Sequence, residues 1–226
     1  MGRVALVPAA GVGSRLNLGF PKQYLRLIDR DDRTMLEITV GKLANCGFFD
    51  RVYVIVSMDD CMIHMCNFPG NVYLSTNGGA TRAETVLNGL QEAELEDDDW
   101  VFVHDAARPC LRVEEIRRLV ERIEEDDVDG AILALPVVDT VKWVDENGLI
   151  QKTIDRKHCW RALTPQAFKV GALKAALTGN TDRVTDEASA MEAVGAKVAV
   201  VEGLATNIKV THAGDIDLAK HFLEEE

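Results

Sequence analysis

The sequence predicts an α/β protein built on a largely parallel sheet. Three observations carry this expectation. Short strands rich in β-branched residues alternate with amphipathic helices along almost the whole chain. The first strand empties directly into a glycine-containing loop. Hydrophobic residues make up 47% and charged residues 27% of 226 positions, an ordinary globular balance. A chain of this length buries roughly 70–75% of its unfolded surface without disulfides or metals. No internal repeat or linker divides it, so one domain over 1–226 is expected.

Taken in order, 4–7 is the first strand. Residues 35–44 form a helix with Leu36, Val40 and Leu43 on one face. Residues 51–57 read as a β-branched strand and 72–74 as a shorter one. A helix over 82–94 buries Ala83, Val86, Leu87 and Leu90, and Trp100 to Val103 is again a strand. The clearest helix is 113–123, where Ile116, Leu119, Val120 and Ile123 follow the i, i+3, i+4, i+7 spacing. A strand at 131–135, helices at 169–177 and 186–194, a strand at 197–201 and a helix at 215–223 complete the alternation. The segment 139–159 breaks it. It carries no helical face and reads as strands 141–144 and 149–153 around Glu146-Asn147-Gly148, whose Asn-Gly pair is a strong hairpin signal. A hairpin inserted there should project as an arm, with its apolar residues suited to subunit contact.

Acidic residues outnumber basic ones by 37 to 25, a net charge of −12. Such a chain is ill suited to sequence-independent nucleic-acid binding, which depends on neutralising phosphates. An anionic substrate would need cations concentrated locally. No apolar run approaches the roughly 20 residues of a membrane helix. The opening residues lack the basic and long apolar regions of a signal peptide and the Arg- and Ser-rich character of a transit peptide. Cys46, Cys61, Cys66, Cys110 and Cys159 are odd in number and form no CxxC pair, which disfavours zinc and a disulfide framework and fits a cytoplasmic protein.

Chemistry concentrates at strand ends, where parallel α/β sheets bind ligands. The first strand runs into Pro8-Ala9-Ala10-Gly11-Val12-Gly13-Ser14-Arg15. Position 16 is Leu, so the dinucleotide fingerprint fails, and the Gly-Lys-Ser/Thr of a P-loop is absent. The loop is a phosphate cradle of neither common kind, closed by Arg15 and followed by Lys22. His104 and Asp105 end another strand. A carboxylate there suits a hydrated Mg²⁺ beside a triphosphate, with capping of the next turn as the alternative; His104 reads as structural. Lys209, in the extended apolar stretch Asn207-Ile208-Lys209-Val210, reads as a phosphate contact.

Six segments together resemble the family of 2-C-methyl-D-erythritol 4-phosphate cytidylyltransferases. They are Pro8-Ala9-Ala10-Gly11-x-Gly13-x-Arg15, Pro21-Lys22-Gln23-Tyr24, Gly78-Gly79 with Arg82, His104-Asp105-Ala106-Ala107-Arg108-Pro109, Leu163-Thr164-Pro165-Gln166, and Thr185-Asp186-Glu187-Ala188-Ser189 with Asn207-Ile208-Lys209. In this order they span almost the whole chain. The resemblance implies a Rossmann-like nucleotidyltransferase fold, with a mostly parallel twisted sheet and helices on its flanks. It implies CTP and methylerythritol phosphate as substrates, Mg²⁺ or another divalent cation, and a homodimer joined through the 139–159 arm. Arg15 and Lys22 match the pair that stabilises the transition state; Arg156 and Lys209 match the pair that positions methylerythritol phosphate. Asp105, Thr140 and Thr164 match further substrate contacts, Gly78, Gly79 and Thr85 the cytosine-recognition segment. Ala9, Ala10, Gly11, Gly13, Ala106 and Arg108 fall on binding segments, and Asp105 is the metal-ligand candidate. Two departures stand out: Ala80 replaces an acidic residue that can follow the Gly-Gly pair, and Thr85 replaces the usual serine. Lys157-His158-Cys159 also stands where a small flexible pair is more usual. Other readings share part of this pattern: a cytidylyltransferase for another polyol phosphate such as ribitol 5-phosphate, a sugar-1-phosphate nucleotidyltransferase, and a non-catalytic CTP-binding domain.

Overall fold

A computed structural model describes residues 1–226 apart from 12–15, 17–18, 30 and 126. The strands are β1 (Arg3–Pro8), β2 (Arg51–Ile55), β3 (Val72–Ser75), β4 (Trp100–Val103), β5 (Gly130–Pro136), β6 (Lys142–Val144), β7 (Ile150–Thr153), β8 (Trp160–Lys169) and β9 (Val198–Glu202). The helices are α1 (Met35–Asn45), α2 (Arg82–Glu92), α3 (Val113–Ile123), α4 (Val170–Leu177), α5 (Glu187–Ala193) and α6 (Ala213–Glu224). Each sequence-predicted element is present; 100–103 and 113–123 keep their expected ends, and the others shift by one to a few residues.

Seven strands form one sheet in the order β3-β2-β1-β4-β8-β5-β9. The β1–β2, β1–β4, β2–β3 and β5–β9 pairs are parallel, and β8 runs antiparallel to both β4 and β5. Two-residue alternation sorts the sheet's side chains onto two helical layers. On one face Ala5, Val7, Val52, Val54 and Phe102 pack against Leu36, Val40 and Leu43 of α1 and Ile116, Leu119 and Ile123 of α3. On the other, Val4, Leu6, Ile55, Val101 and Val103 meet Val86 and Leu90 of α2, Leu173 of α4 and Met191 of α5. Helix α6 lies outside α1, with Ala219 and Leu223 packed beside Met35 and Ile38. Side chains fix the starts of α1, α2 and α5, among others: Thr34 with Glu37 on α1, Thr81 accepting from the Glu84 N–H on α2, and Asp186 with Ser189 on α5.

The long strand β8 is absent from the sequence expectation. Thr164, Pro165 and Gln166 break any apolar alternation, and proline removes a ladder donor. The structure accommodates them in an irregularity of the ladder. Between one matched pair and the next, β5 advances from Ile132 to Ala134 while β8 runs from Gln166 back to Ala162. The residues left over carry Thr164 and the cis peptide before Pro165.

The β6–β7 hairpin forms its own two-stranded sheet. Its turn is built by Asp145, whose Oδ1 accepts from the Asn147 and Leu149 N–H groups, and by Gly148 at φ +77°. Trp143 is 61% and Ile150 63% exposed, and Val144 and Leu149 are exposed beside them.

Candidate active site

Going outward from β1 the strand order runs to β2 and β3, then returns to β4 on the other side of β1. That reversal opens a crevice at the carboxyl ends of β1 and β4, the switch point where α/β sheets bind ligands. A cavity of about 370 Å³ lies there. Pro8 ends β1 and Ala9 to Gly11 follow it, Asp105 to Ala107 follow β4, and Gly79 to Arg82 with Thr85 form the rim at the start of α2; Lys22, Gln23 and Lys209 complete the lining.

Short polar contacts hold these segments together. Gln23 is buried and donates from Nε2 to the Ala9 carbonyl at 2.8 Å, which fastens the single 3-10 turn Lys22–Tyr24 to the end of β1. Lys22 Nζ donates to the Val210 carbonyl at 2.7 Å, and the Val210 N–H donates to the Ala107 carbonyl at 2.8 Å. Gly78 lies so close to the loop after β1 and to the end of β2 that a Cβ there would sit 2.5 Å from Ala10 Cβ and 2.6 Å from the Val56 carbonyl oxygen. A Cβ on Gly79 would stand 2.6 Å from Glu84 Cβ. Both positions require glycine for close approach. Thr85 Oγ1 accepts from the Gly79 N–H at 3.1 Å and donates to the Thr81 carbonyl at 2.9 Å, so its hydroxyl shapes the rim loop. Glu84 accepts from the Ala80 N–H at 2.8 Å.

Asp105 is the electrostatic centre. Its Oδ1 accepts from Arg82 Nε at 2.8 Å, its Oδ2 lies 2.8 Å from Lys209 Nζ, and Arg108 Nε stands 3.5 Å away. Burial alone would raise this carboxyl, but Arg82, Lys209 and Arg108 together hold it far below the ordinary carboxylate range. Arg82 in turn forks onto Glu187, with Nη1 to Oε1 at 2.6 Å and Nη2 to Oε2 at 3.0 Å. Burial works against the Arg82 charge, yet Glu187 and Asp105 outweigh it and raise the pKa.

Behind Asp105 the chain is fixed by an uncharged relay. The Asp105 N–H donates to Thr164 Oγ1 at 3.1 Å, and Thr164 is 2.9 Å from His104 Nδ1. The Arg108 carbonyl, 3.1 Å from Nε2, can only accept, so the ring proton of the neutral imidazole sits on Nε2. Nδ1 is then an acceptor and takes the proton of the Thr164 hydroxyl. Complete burial lowers the His104 pKa to about 4, so the ring is neutral. This agrees with its expected structural part.

Ala9, Ala10, Gly11, Lys22, Gly79, Thr85, Asp105, Ala106 and Lys209 thus meet in one crevice as expected. Other expectations change. Gly78 packs beneath the rim, Thr164 acts on the Asp105 backbone, and Arg108 is buried with Nη1 donated to the Asn207 carbonyl at 2.8 Å; none of the three lines the cavity. Asp105, the metal-ligand candidate, has both oxygens engaged by cations, and it is the one carboxylate among the described lining residues. Magnesium takes one or two carboxylates plus substrate oxygens, and a first-ligand role here would have to displace Lys209 or Arg82. Thr140 and Arg156 lie at the base of the arm, outside this chain's own cavity, with Arg156 donating to the Val138 carbonyl. Gly13 and Arg15 lie outside the described residues.

Sequence reasoning left Arg82 and Glu187 without roles, although both stand in quoted motifs. Buried Glu115 received none either. Its Oε1 accepts from the Leu204 N–H at 2.8 Å and Asn207 Nδ2 at 3.2 Å, anchoring the segment that presents Lys209. An acid inside the apolar stripe of α3 was the available signal.

Three cations beside a glycine-bordered crevice, at the switch point of a mostly parallel sheet, define a nucleotidyltransferase site. Comparison with known proteins makes this specific. The model of the family 2-C-methyl-D-erythritol 4-phosphate cytidylyltransferase (IspD) matches residues 3–225. A protein of that name from Alteromonas mediterranea is 43% identical, over 99% of this chain and 93% of its own length. The crystal structure of a 4-diphosphocytidyl-2C-methyl-D-erythritol synthase superposes with a TM-score of 0.84 at 37% identity, covering 98% of each chain. The Francisella tularensis 2-C-methyl-D-erythritol 4-phosphate cytidylyltransferase also gives 0.84, at 34% identity over 98% of this chain and 100% of that one. The chain belongs to the 2-C-methyl-D-erythritol 4-phosphate cytidylyltransferase family.

Proposed function

We propose that the protein transfers CMP from CTP to 2-C-methyl-D-erythritol 4-phosphate, giving 4-diphosphocytidyl-2-C-methyl-D-erythritol and pyrophosphate, a step in isoprenoid precursor biosynthesis. The family supplies the reaction, and the observation that carries it is the convergence of Lys22, Arg82 and Lys209 on a crevice beside a glycine rim. An oxygen of the acceptor phosphate bonds to the α-phosphorus of CTP. The bond from that phosphorus to the bridging oxygen breaks, and the electron pair leaves with pyrophosphate. A phosphate monoester has its second pKa near ~6, so the nucleophile is already ionised at neutral pH and needs no general base. The site's neutral, buried His104 accords with that.

What the reaction needs is fixed positive charge where two polyanions meet. Under this reading Lys22, with Arg15, offsets charge developing at the α-phosphoryl group, and Lys209 holds the acceptor phosphate. Asp105 aims Lys209. A divalent cation, in this reading, arrives chelated by the triphosphate as part of the substrate. The glycine rim admits the pyrimidine closely.

The exposed apolar arm supports a homodimer, because an isolated hairpin is marginal in water. In that dimer Thr140 and Arg156 serve the partner's crevice, and the single domain over 1–226 uses 139–159 as its dimerisation arm. A cytoplasmic location is consistent with five free cysteines and with the lack, among the described residues, of a helix long and apolar enough to cross a membrane. Pyrophosphate release from CTP with methylerythritol phosphate tests the reaction, run beside ribitol 5-phosphate and beside UTP and ATP. Turnover selective for the first pair is expected; equal use of ATP and CTP overturns the assignment.

A further inference from the structure

Lys209 is expected to hold the acceptor phosphate, yet its side chain enters the crevice from an irregular segment. What aims it is a ladder of charges that begins outside the cavity. Lys209 Nζ lies 2.8 Å from Asp105 Oδ2, Arg82 Nε donates to Asp105 Oδ1 at 2.8 Å, and Arg82 forks onto both oxygens of Glu187. Glu187 is fully buried and does not line the cavity. Its backbone is anchored independently. Gln166, on β8, donates from Nε2 to Asp186 Oδ2 at 2.9 Å and accepts the Ala188 N–H on Oε1 at 2.9 Å. The first turn of α5 is therefore pinned to the sheet on both sides of Glu187.

Arg82 opens α2, where the helix dipole disfavours a cation. It stays there because two carboxylates claim it in fixed directions. Its guanidinium is planar, so seating both Nη groups on Glu187 also fixes the direction of Nε. That direction sets Asp105 through Oδ1, and Oδ2, which also faces Arg108 Nε at 3.5 Å, then gives Lys209 one defined place.

We propose that Glu187 is a positioning residue for the acceptor phosphate: it orients Arg82, which orients Asp105, which aims Lys209 into the crevice. This rests on the reaction proposed above. Turnover by the parent chain reports on that reaction, and the ratio of parent to variant reports on Glu187.

Glu187→Asp keeps the charge and withdraws the carboxylate by one methylene, so the fork opens without changing the cluster's net charge. The expected result is a KM for methylerythritol phosphate raised roughly tenfold, the KM for CTP staying within about twofold. A merely structural role predicts something else: fewer folded molecules, hence a lower kcat with both KM values unchanged. A double-mutant cycle adds a second discrimination. In a Lys209→Ala background the same change should move the acceptor KM by less than about twofold, because the residue it acts through is gone. Overturning results are an unchanged acceptor KM in Glu187→Asp, an equal effect in both backgrounds, or a fall in kcat alone. Should Glu187→Asp give no cooperative melt, Arg82→Lys serves instead. It keeps the cation but lacks the planar fork, and must raise the acceptor KM in the same selective way; parent-like kinetics there also overturn the proposal.

Discussion

Lys22 shows how little freedom a single side chain has in this crevice. The turn that carries it is tied to β1 by Gln23, and its ammonium group rests on the Val210 carbonyl. A cation held in place before substrate arrives spends nothing on reorganisation when charge develops. Lys22→Ala should therefore lower kcat by roughly 10²–10³ while the fold is unchanged. Steady-state kinetics with both substrates varied check this. A variant altered only in its KM for CTP contradicts the transition-state role. Thr164 makes a different point. Its hydroxyl holds the Asp105 backbone from behind, a role that a motif match to substrate contacts does not suggest.

At the scale of elements, the rim loop and the β4 end work because backbone comes very close to backbone. Gly78 sits under the rim with its N–H donated to the Val56 carbonyl at 2.9 Å and no room for a Cβ. Gly78→Ala must push the rim away from the loop after β1 and the end of β2, costing roughly 1–3 kcal/mol of stability by overpacking. It should also raise the KM for CTP, since Gly79, Ala80 and Thr85 move with the rim. Thermal melts and CTP kinetics on the same preparation measure both, and a variant with parental Tm and KM refutes the close-packing account. Strand β8 teaches the converse lesson. Its middle sequence reads as a strand breaker, but the surplus residues it holds against β5 deliver Thr164 to His104 and Asp105.

At the scale of the whole molecule, two predictions concern assembly and pH. The arm exposes Trp143, Val144, Leu149 and Ile150, while Thr140 and Arg156 at its base do not line the chain's own crevice. If the arms exchange, mixing inactive Arg15→Ala with inactive Arg156→Ala regenerates intact sites. Each mixed dimer then has one doubly damaged and one whole site, so random pairing restores about a quarter of parental activity. Co-expression with two tags guarantees that mixed dimers exist, and zero activity in them assigns both residues to one chain's site. For pH, His104 has a folded pKa near 4 against an ordinary 6.5. Above pH 6.5 the ring is neutral in both states and its full contribution to stability is present. As pH falls from 6.5 toward 4 the unfolded chain takes up a proton that the folded chain excludes, so stability declines, by about 3 kcal/mol from this group at most. Asp105, held far below its ordinary 3.8, withdraws its contribution only at lower pH still. Tm measured from pH 7 to 4 should fall, and His104→Asn should flatten that part of the curve. An equal slope in both proteins refutes the assignment.

The alternation of strands and helices was legible from the chain alone, because periods of two and 3.6 are written in local apolar spacing. The first glycine loop, Lys22 and Asp105 were legible beside strand ends, where a parallel sheet puts its ligand. Lys209 was legible as a cation in an extended apolar stretch, and the rest of the crevice lining through the resemblance to the family. Features that depend on distant partners emerged with the folded chain. The β8 strand, its irregular pairing with β5, the burial of Arg108 and the ladder from Glu187 to Lys209 join residues 23 to 105 positions apart in the chain. No local period records such a contact: a buried charge is placed by the counter-charges that the fold brings to it, and those are chosen by the topology of the sheet.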